Sequence, residues 1–331
     1  MTTRATLAPI LLAAVLAAAG CTRNATETVA LSGDYLGQTP PGATAELFAP
    51  GVVSTGLAER DVAMTPDGSE LYFTVVFGSR GTIVAMRRID GVWTAPKVAP
   101  FSGTWNDIEP AISPDGKRFF FVSARPKSAG AAEPGDTDVW VMERTAEGWT
   151  EPANLGAPVN STDNEYFPSV TRDGTMYFTR RTGGREALYR SALAGGRYQD
   201  PELLPEQINT TAAQFNSFVA PDESFLIFGS LPREGGFGSS DYLVSFRKPD
   251  GSWTEAVNMG PAVNSPAGEW SASLSPDGRY LFFQSTRSAV PDRSSPPLRY
   301  AGLRSMLASP GNGQSDIYWI DASFIGTLRP R

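Results

Sequence analysis

The chain has 331 residues, with 28 Lys and Arg against 35 Asp and Glu and no histidine, for a formal net charge of −7. This acidic balance argues against nucleic acid as a partner, because that recognition rests on basic groups that neutralise phosphates. The missing histidine excludes His-dependent triads, His-ligated metals and His acid–base chemistry. The sole cysteine, Cys21, leaves no intramolecular disulfide, so stability has to come from core burial.

In chain order, Arg4 precedes an apolar Ala/Leu-rich run from Ala5 to Ala19, followed by Gly20 and Cys21. A basic start, an apolar run of that length and small residues before a cut describe a secretory signal over residues 1–20 rather than a spanning helix. Ala18-Ala19-Gly20-Cys21 resembles a bacterial lipobox, with Ala18 in place of the usual Leu. The resemblance implies that Cys21 is acylated and becomes the first residue; the alternative is an ordinary signal peptide with an incidental cysteine. Residues 21–41 hold Thr, Gly and Pro without strand periodicity and read as a flexible tether. No other stretch is long and apolar enough to span a bilayer.

From residue 42 the chain repeats itself. A Pro-Asp-Gly type of turn occurs at Thr65-Pro66-Asp67-Gly68, Ser113-Pro114-Asp115-Gly116, Thr171-Arg172-Asp173-Gly174, Ala220-Pro221-Asp222-Glu223 and Ser275-Pro276-Asp277-Gly278. The second turn position falls at 66, 114, 172, 221 and 276, in steps of 48, 58, 49 and 55 residues. Pro presets the first turn torsion and Gly tolerates positive φ, so each copy reads as a tight hairpin. An aromatic-rich strand follows each turn, such as Phe119-Phe120-Phe121-Val122, then a variable loop and a third strand such as Asp138-Val139-Trp140. A fourth segment opens at Trp93, Trp149, Tyr198 or Trp253. Four short antiparallel strands at a period near 50 describe a β-propeller blade.

The fifth repeat stops after its third strand, near Asp321, and the fourth-strand pattern it lacks stands ahead of the first repeat at Ala45–Val52. The expectation is an all-β propeller of five four-stranded blades over residues 42–325. An N-terminal strand completes the last blade, and a C-terminal tail covers 326–331. Six blades result if residues 22–44 or 286–314 hold another.

The Ser-Pro-Asp-Gly turn, the aromatic second strand, Ser123-Ala124-Arg125 and Ser285-Thr286-Arg287 at its end, and the Asp-Ile-Tyr or Asp-Val-Trp third strand resemble WD40-like PD40 repeats, those of the TolB propeller. The resemblance covers roughly residues 42–325. Arg172 in place of the turn Pro and Glu223 in place of the turn Gly depart from it. It implies a periplasmic or surface propeller that binds a partner, without implying one activity.

Aligning the copies exposes an acidic column. Seven residues before the second turn position stand Glu59, Asp107, Glu165, Gln214 and Glu269. Two residues on stand Asp61, Glu109, Phe167, Asn216 and Ser271, then Ala63, Ala111, Ser169, Phe218 and Ser273. Period-two alternation predicts that this parity faces the central channel, while Met64, Ile112, Val170, Val219 and Leu274 face the core between blades. The column has two readings: structural, with each acid accepting backbone N–H bonds from the neighbouring blade, or a ligand site at the channel mouth. For a site, the positions that vary between blades are the candidates: Arg60, Asp61, Glu109, Tyr166, Asn216 and Trp270. A carboxylate and amide cluster suits Ca2+ in principle, but no loop carries Asp-x-Asp-x-Asp-Gly, so no metal and no cofactor are expected. Trp93, Trp149 and Trp253 recur at one blade position and read as packing residues. Asp138, Asp241 and Asp316 are expected to bond the Ser or Arg at the end of the second strand.

These observations point to a lipid-anchored, monomeric envelope propeller on the periplasmic face of the outer membrane, a non-catalytic module for an envelope protein or glycan. The alternative is a carbohydrate-active enzyme using channel-mouth carboxylates, since glycosidases work with two carboxylates and need no histidine. No residue is singled out as catalytic.

Overall fold

The computed structural model describes residues 31–330 apart from 129, 133–134, 211–212 and 291–295; the signal segment and Cys21 lie outside the described residues. Five antiparallel sheets follow one another in sequence. Blade 1 holds Ala58–Met64, Glu70–Phe77, Arg80–Ile89 and Lys97–Val98; blade 2 holds Asp107–Ile112, Arg118–Ser123, Asp138–Thr145 and Ala153–Asn154. Blade 3 holds Asn164–Val170, Met176–Thr182, Arg185–Ser191 and Glu202–Leu203; blade 4 holds Gln214–Val219, Phe225–Ser230, Asp241–Phe246 and Val257–Asn258. Blade 5 holds Glu269–Leu274, Tyr280–Ser285 and Asp316–Asp321, and its fourth strand is Glu46–Leu47, paired with Trp319 and Tyr318. The ring is five-bladed and closed by the N-terminal strand, as the repeat predicts.

Alternation along the aromatic strands explains why the blades stack. In blade 2, Phe119 and Phe121 join Tyr72 and Ile83 of blade 1, whereas Phe120 joins Val170 and Phe178 of blade 3. Five such clusters fill the five seams. The closing seam packs Phe48 against Phe282 and Trp319, with ring centroids 4.9 and 5.2 Å apart.

One end segment differs from the sequence expectation. Residues 31–41, read as part of a free tether, hold a 3-10 helix, Asp34–Gly37, docked on the closing seam: Leu36 is buried and Tyr35 packs edge-on against Tyr280. The Trp93 indole donates to the Gly33 carbonyl at 2.8 Å, and Gln38 bonds Leu47 and Ala49. Leu36 and Tyr35 have apolar and aromatic surface to bury, which a tether lacks. At the other end, Ile325, the last residue of the expected propeller, is buried in the blade 4/5 core, and in the tail the Arg329 guanidinium lies 4.6 Å from the Phe246 ring.

The two irregular turns are accommodated locally. Arg172 uses the N–H that a proline lacks to bond Pro221 O at 2.8 Å. Glu223 adopts φ 59 without being glycine, and its carboxylate is bonded by the Tyr177 hydroxyl with Arg190 and Arg247 at 3.7 Å.

Because Phe48 is fully buried at the closing seam, Phe48→Ala should cost about 3–5 kcal/mol. Urea unfolding checks this; a loss below about 1 kcal/mol would show that the closing strand contributes little.

Candidate functional site

The acidic column is buried and bonded in every blade, and three of its members accept a backbone N–H from the connection that leads in from the preceding blade. Each residue reaches back to a Ser or Thr in the connection from the preceding blade. Ser161 N–H donates to Glu165 at 3.0 Å, Ser265 N–H to Glu269 at 3.1 Å and Thr55 N–H to Glu59 at 3.2 Å, each with its hydroxyl as well. Ser102 serves Asp107 at 2.9 Å, and Gln214 donates to Thr210 at 3.1 Å. Arginines add charge: Arg125 meets Asp107 at 2.7 Å, Arg180 meets Glu165 at 2.7 Å and Arg287 meets Glu269 at 3.5 Å. The Ser-x-Arg motif therefore serves the acidic column, not the third-strand aspartates. Asp138 and Asp241 instead accept from Asn154 and Asn258, at 2.8 and 2.9 Å, and Asp316 accepts from Gly311 N–H.

Blade 1 breaks this pattern. Opposite Glu59 stands Val75, where blade 2 has Ser123 and blade 3 has Arg180. Leu47 pairs where Asn154 and Asn258 pair in their blades, so among the described residues Asp316 has no side-chain amide partner. Burial pushes Glu59 up to about 7, with Asp316 nearby adding to it, and pushes Asp316 up to about 6.

At the channel axis every blade carries the same defect. The register slips between Arg60 and Val62, Ile108 and Ala111, Tyr166 and Ser169, Phe215 and Phe218, and Trp270 and Ser273. Asp61, Glu109, Phe167, Asn216 and Ser271 take φ between 52 and 59, the bulge residue of each first strand. The bulge corrects the parity reading. Beyond it, side chains alternate between the two adjoining seams: Ala63 packs in the blade 1/2 core and Met64 against the blade 5/1 core. A blade's faces look at its neighbours, and only its inner edge looks at the axis.

Four of the six mouth candidates meet in one hydrogen-bonded group. The Arg60 guanidinium donates to Asp61 at 2.8 Å, Glu109 at 2.7 Å and Ser271 Oγ at 3.2 Å, and Asn216 donates to the same Ser271 oxygen at 3.3 Å. Asp61 accepts from Glu109 N–H at 3.2 Å, and Glu109 accepts from Phe167 N–H at 2.6 Å, so each carboxylate ties its blade to the next. Burial opposes charge on Arg60, but the two carboxylates outweigh it and hold the guanidinium above its usual range. Burial pushes Glu109 up, and Arg60 pulls against that rise. No hydrogen bond joins the side chains of Tyr166 or Trp270 to this group among the described residues. Tyr166 is half-buried, its hydroxyl pushed up by burial and by Glu186.

A cavity of about 410 Å3 runs from this group to the Pro-Asp-Gly turns. Asp61, Glu109, Phe167 and Ser271 form its floor, and Arg172, Asp222 and Asp277 stand at the turn end. Among the described residues, no group of three or more Cys, Asp or Glu side chains is placed to hold a metal ion. Trp93 and Trp253 are buried, and the Trp149 indole donates to the Tyr72 hydroxyl at 2.9 Å, all packing roles.

Sequence reasoning missed an asparagine column. Asn160, Asn209 and Asn264 each accept a third-strand N–H, at 2.8–2.9 Å, and donate back to the same residue's carbonyl, lengthening the two-residue fourth strands by a side chain. The signal was Val159-Asn160, Ile208-Asn209 and Val263-Asn264 at one repeat position.

Five radial sheets around a bulged axis define a five-bladed β-propeller. Neither a scan against family models nor a search of curated proteins returns a match. Among solved structures the chain is similar to a native arabinanase of Bacillus subtilis, with 12% identity and a TM-score of 0.50 over 85% of this chain and 99% of that one. It is also similar to a putative TolB of Agrobacterium tumefaciens, with 16% identity and a TM-score of 0.48 over 80% and 90%. An α-L-arabinofuranosidase of Lactobacillus brevis gives 12% identity and a TM-score of 0.46 over 81% and 91%. These likenesses are of fold.

The raised carboxyls at the closing seam set a pH dependence. With folded pKa values above the ordinary carboxylate range, the folded chain binds more protons than the unfolded one up to about pH 7. Stability therefore falls as pH rises from about 5 to 7. Replacing both, Glu59→Gln with Asp316→Asn, should lessen the fall in melting temperature over that window, leaving the part that raised Glu109 contributes, and raise the value at pH 8. An undiminished slope in the double variant would refute the assignment.

Proposed function

We propose that the chain is a non-catalytic recognition propeller, lipid-anchored through Cys21 in the bacterial cell envelope on the periplasmic face of the outer membrane, and monomeric. The observation that carries the reading is that the two axial carboxylates share one guanidinium. Asp61 and Glu109 are buried, share Arg60 and bond the next blade's backbone. Glycoside hydrolysis needs two carboxylates flanking a bond in an open cleft, one as acid and one as nucleophile or base. Two carboxylates on one guanidinium do not meet that need, which weighs against the enzyme reading despite the arabinanase among the similar folds.

The path of the chain supports an orientation. Leu31 bonds Trp93, Gly33 bonds Gly91, and the Tyr35 hydroxyl reaches Asp277 at the turn end. Ten residues from Cys21 to Leu31 reach at most about 35 Å, which favours the turn face toward the membrane and the loop face toward a partner. On the loop face, the 286–314 connection carries helix α1, Tyr300–Leu307, with no buried residue and with Tyr300 77% and Leu307 57% exposed. Leu303 lies on the same stripe, and exposed Leu57 sits nearby, where Gly56 abuts Ala308.

Crosslinked capture from envelope extracts should recover a defined partner that Leu303→Asp with Leu307→Asp loses. Release of reducing ends from an envelope or plant polysaccharide by the wild-type chain, abolished by Glu109→Gln, would overturn the non-catalytic reading.

A further inference from the structure

The axial cavity is chemically polarised in a way that the partner reading does not use. Its charged lining residues are Asp61, Glu109, Asp222, Asp277 and Arg172. Arg60 backs the floor from the loop side without lining the cavity, its side chain 21% exposed. At the floor, two carboxylates against one guanidinium leave one negative charge; at the turn end, two carboxylates against Arg172 leave another. Asp222 and Asp277 are both held below the usual carboxylate range, partly by Ser224 and Ser275, and so stay ionised at neutral pH.

Between the two ends the lining is mostly apolar, interrupted by Ser169 and Ser273. Met64, Ile112, Phe218 and Leu274 line the middle, Phe225 the turn end and Phe167 the floor. Ring faces attract ammonium groups, more so where water is excluded. First strands run from floor to mouth over the six residues from Ser271 to Asp277, on the order of 15–20 Å at the rise of an extended chain. The volume lies in the range of small-molecule sites. A metal ion has no use for that apolar length, and an anion meets net negative charge at both ends.

We infer that the channel binds a linear organic cation, with an apolar body and an ammonium group at each end, that enters from the turn face. The inner ammonium sits over Asp61 and Glu109, and the outer one sits between Asp222 and Asp277. The inference stands independently of the loop-face partner.

Glu109 makes binding pH-dependent. The titratable and charged groups around it are Arg60, Asp61 and the Tyr166 hydroxyl. Burial raises Glu109 to about 7, so below that pH a proton competes with the ligand for the floor.

Diaminodecane serves as the probe and diaminobutane as a diamine too short to reach both ends. Titration calorimetry on the purified chain should give one-to-one binding of diaminodecane at pH 8. Affinity should fall about tenfold per pH unit below about 7, and diaminobutane should bind at least about tenfold more weakly, having lost one charged contact. Glu109→Gln should weaken binding and remove the pH dependence. Asp222→Asn with Asp277→Asn, at the exposed turn end and clear of the floor, should weaken diaminodecane binding at least about tenfold while circular dichroism reports an intact fold; it decides the matter if the Glu109 variant misfolds. No heat from either diamine at any pH, or undiminished diaminodecane binding in the Asp222 and Asp277 double variant, would overturn the inference.

Discussion

No blade of this ring can bury its own faces. Each four-stranded sheet is apolar on both sides, and each side is covered only by the adjoining blade, so the five cores exist only if the circle closes. Closure rests on a two-residue strand, Glu46–Leu47, that joins Tyr318 and Trp319 across more than 270 positions of sequence. Two ladder residues are a weak clasp by themselves. Phe48 beside Phe282 and Trp319 supplies the apolar burial, and the Asp34–Gly37 turn with Tyr35 and Leu36 straps the seam from outside. This is why the segment before the first repeat cannot be a free tether along its whole length: the seam that the ring depends on is finished there.

The axis shows how a repeat separates architecture from chemistry. Five non-glycine residues hold positive φ, a conformation that costs each of them free energy. The strain recurs because neighbours support it: Glu109 N–H is bonded by Asp61, Phe167 N–H by Glu109, and Asn216 N–H by Thr179. The backbone is thus the same five times while the side chains are Asp, Glu, Phe, Asn and Ser. A residue type required by the bulge would repeat, as the acidic column does. The variation at the bulge is therefore open to function in a way that the acidic column is not.

Much of this was legible in the sequence because turn chemistry is local. Pro-Asp-Gly, the aromatic strand and the return of a strand pattern at Ala45–Val52 are each readable from neighbours in sequence, and together they yield five blades and their closure. The acidic column was visible as a column, yet its partners were not. Ser161, Ser265 and Thr55 stand four residues upstream in loops whose conformation nothing local specifies. The bulges were hidden for a related reason. Asp61 and Glu109 carry no turn signal, and one inserted residue turns a period-two reading of channel against core into the wrong assignment. The asparagine column was overlooked although it repeats, because Val-Asn after a strand reads as an ordinary loop until the two-residue length of the fourth strand is known.

One guanidinium makes the two faces of the ring chemically separate. Arg60 reaches from blade 1 to Glu109 in blade 2 and Ser271 in blade 5, and it backs the floor of the axial cavity that they line. What lies on the loop side meets Arg60, Tyr166, Trp270 and the 286–314 connection; what lies on the turn side meets carboxylates, aromatic rings and prolines. A lysine in its place would carry the same charge but could not present a planar fork to Asp61, Glu109 and Ser271 together. The acidic floor of the axial cavity is held together by the reach and shape of that single side chain.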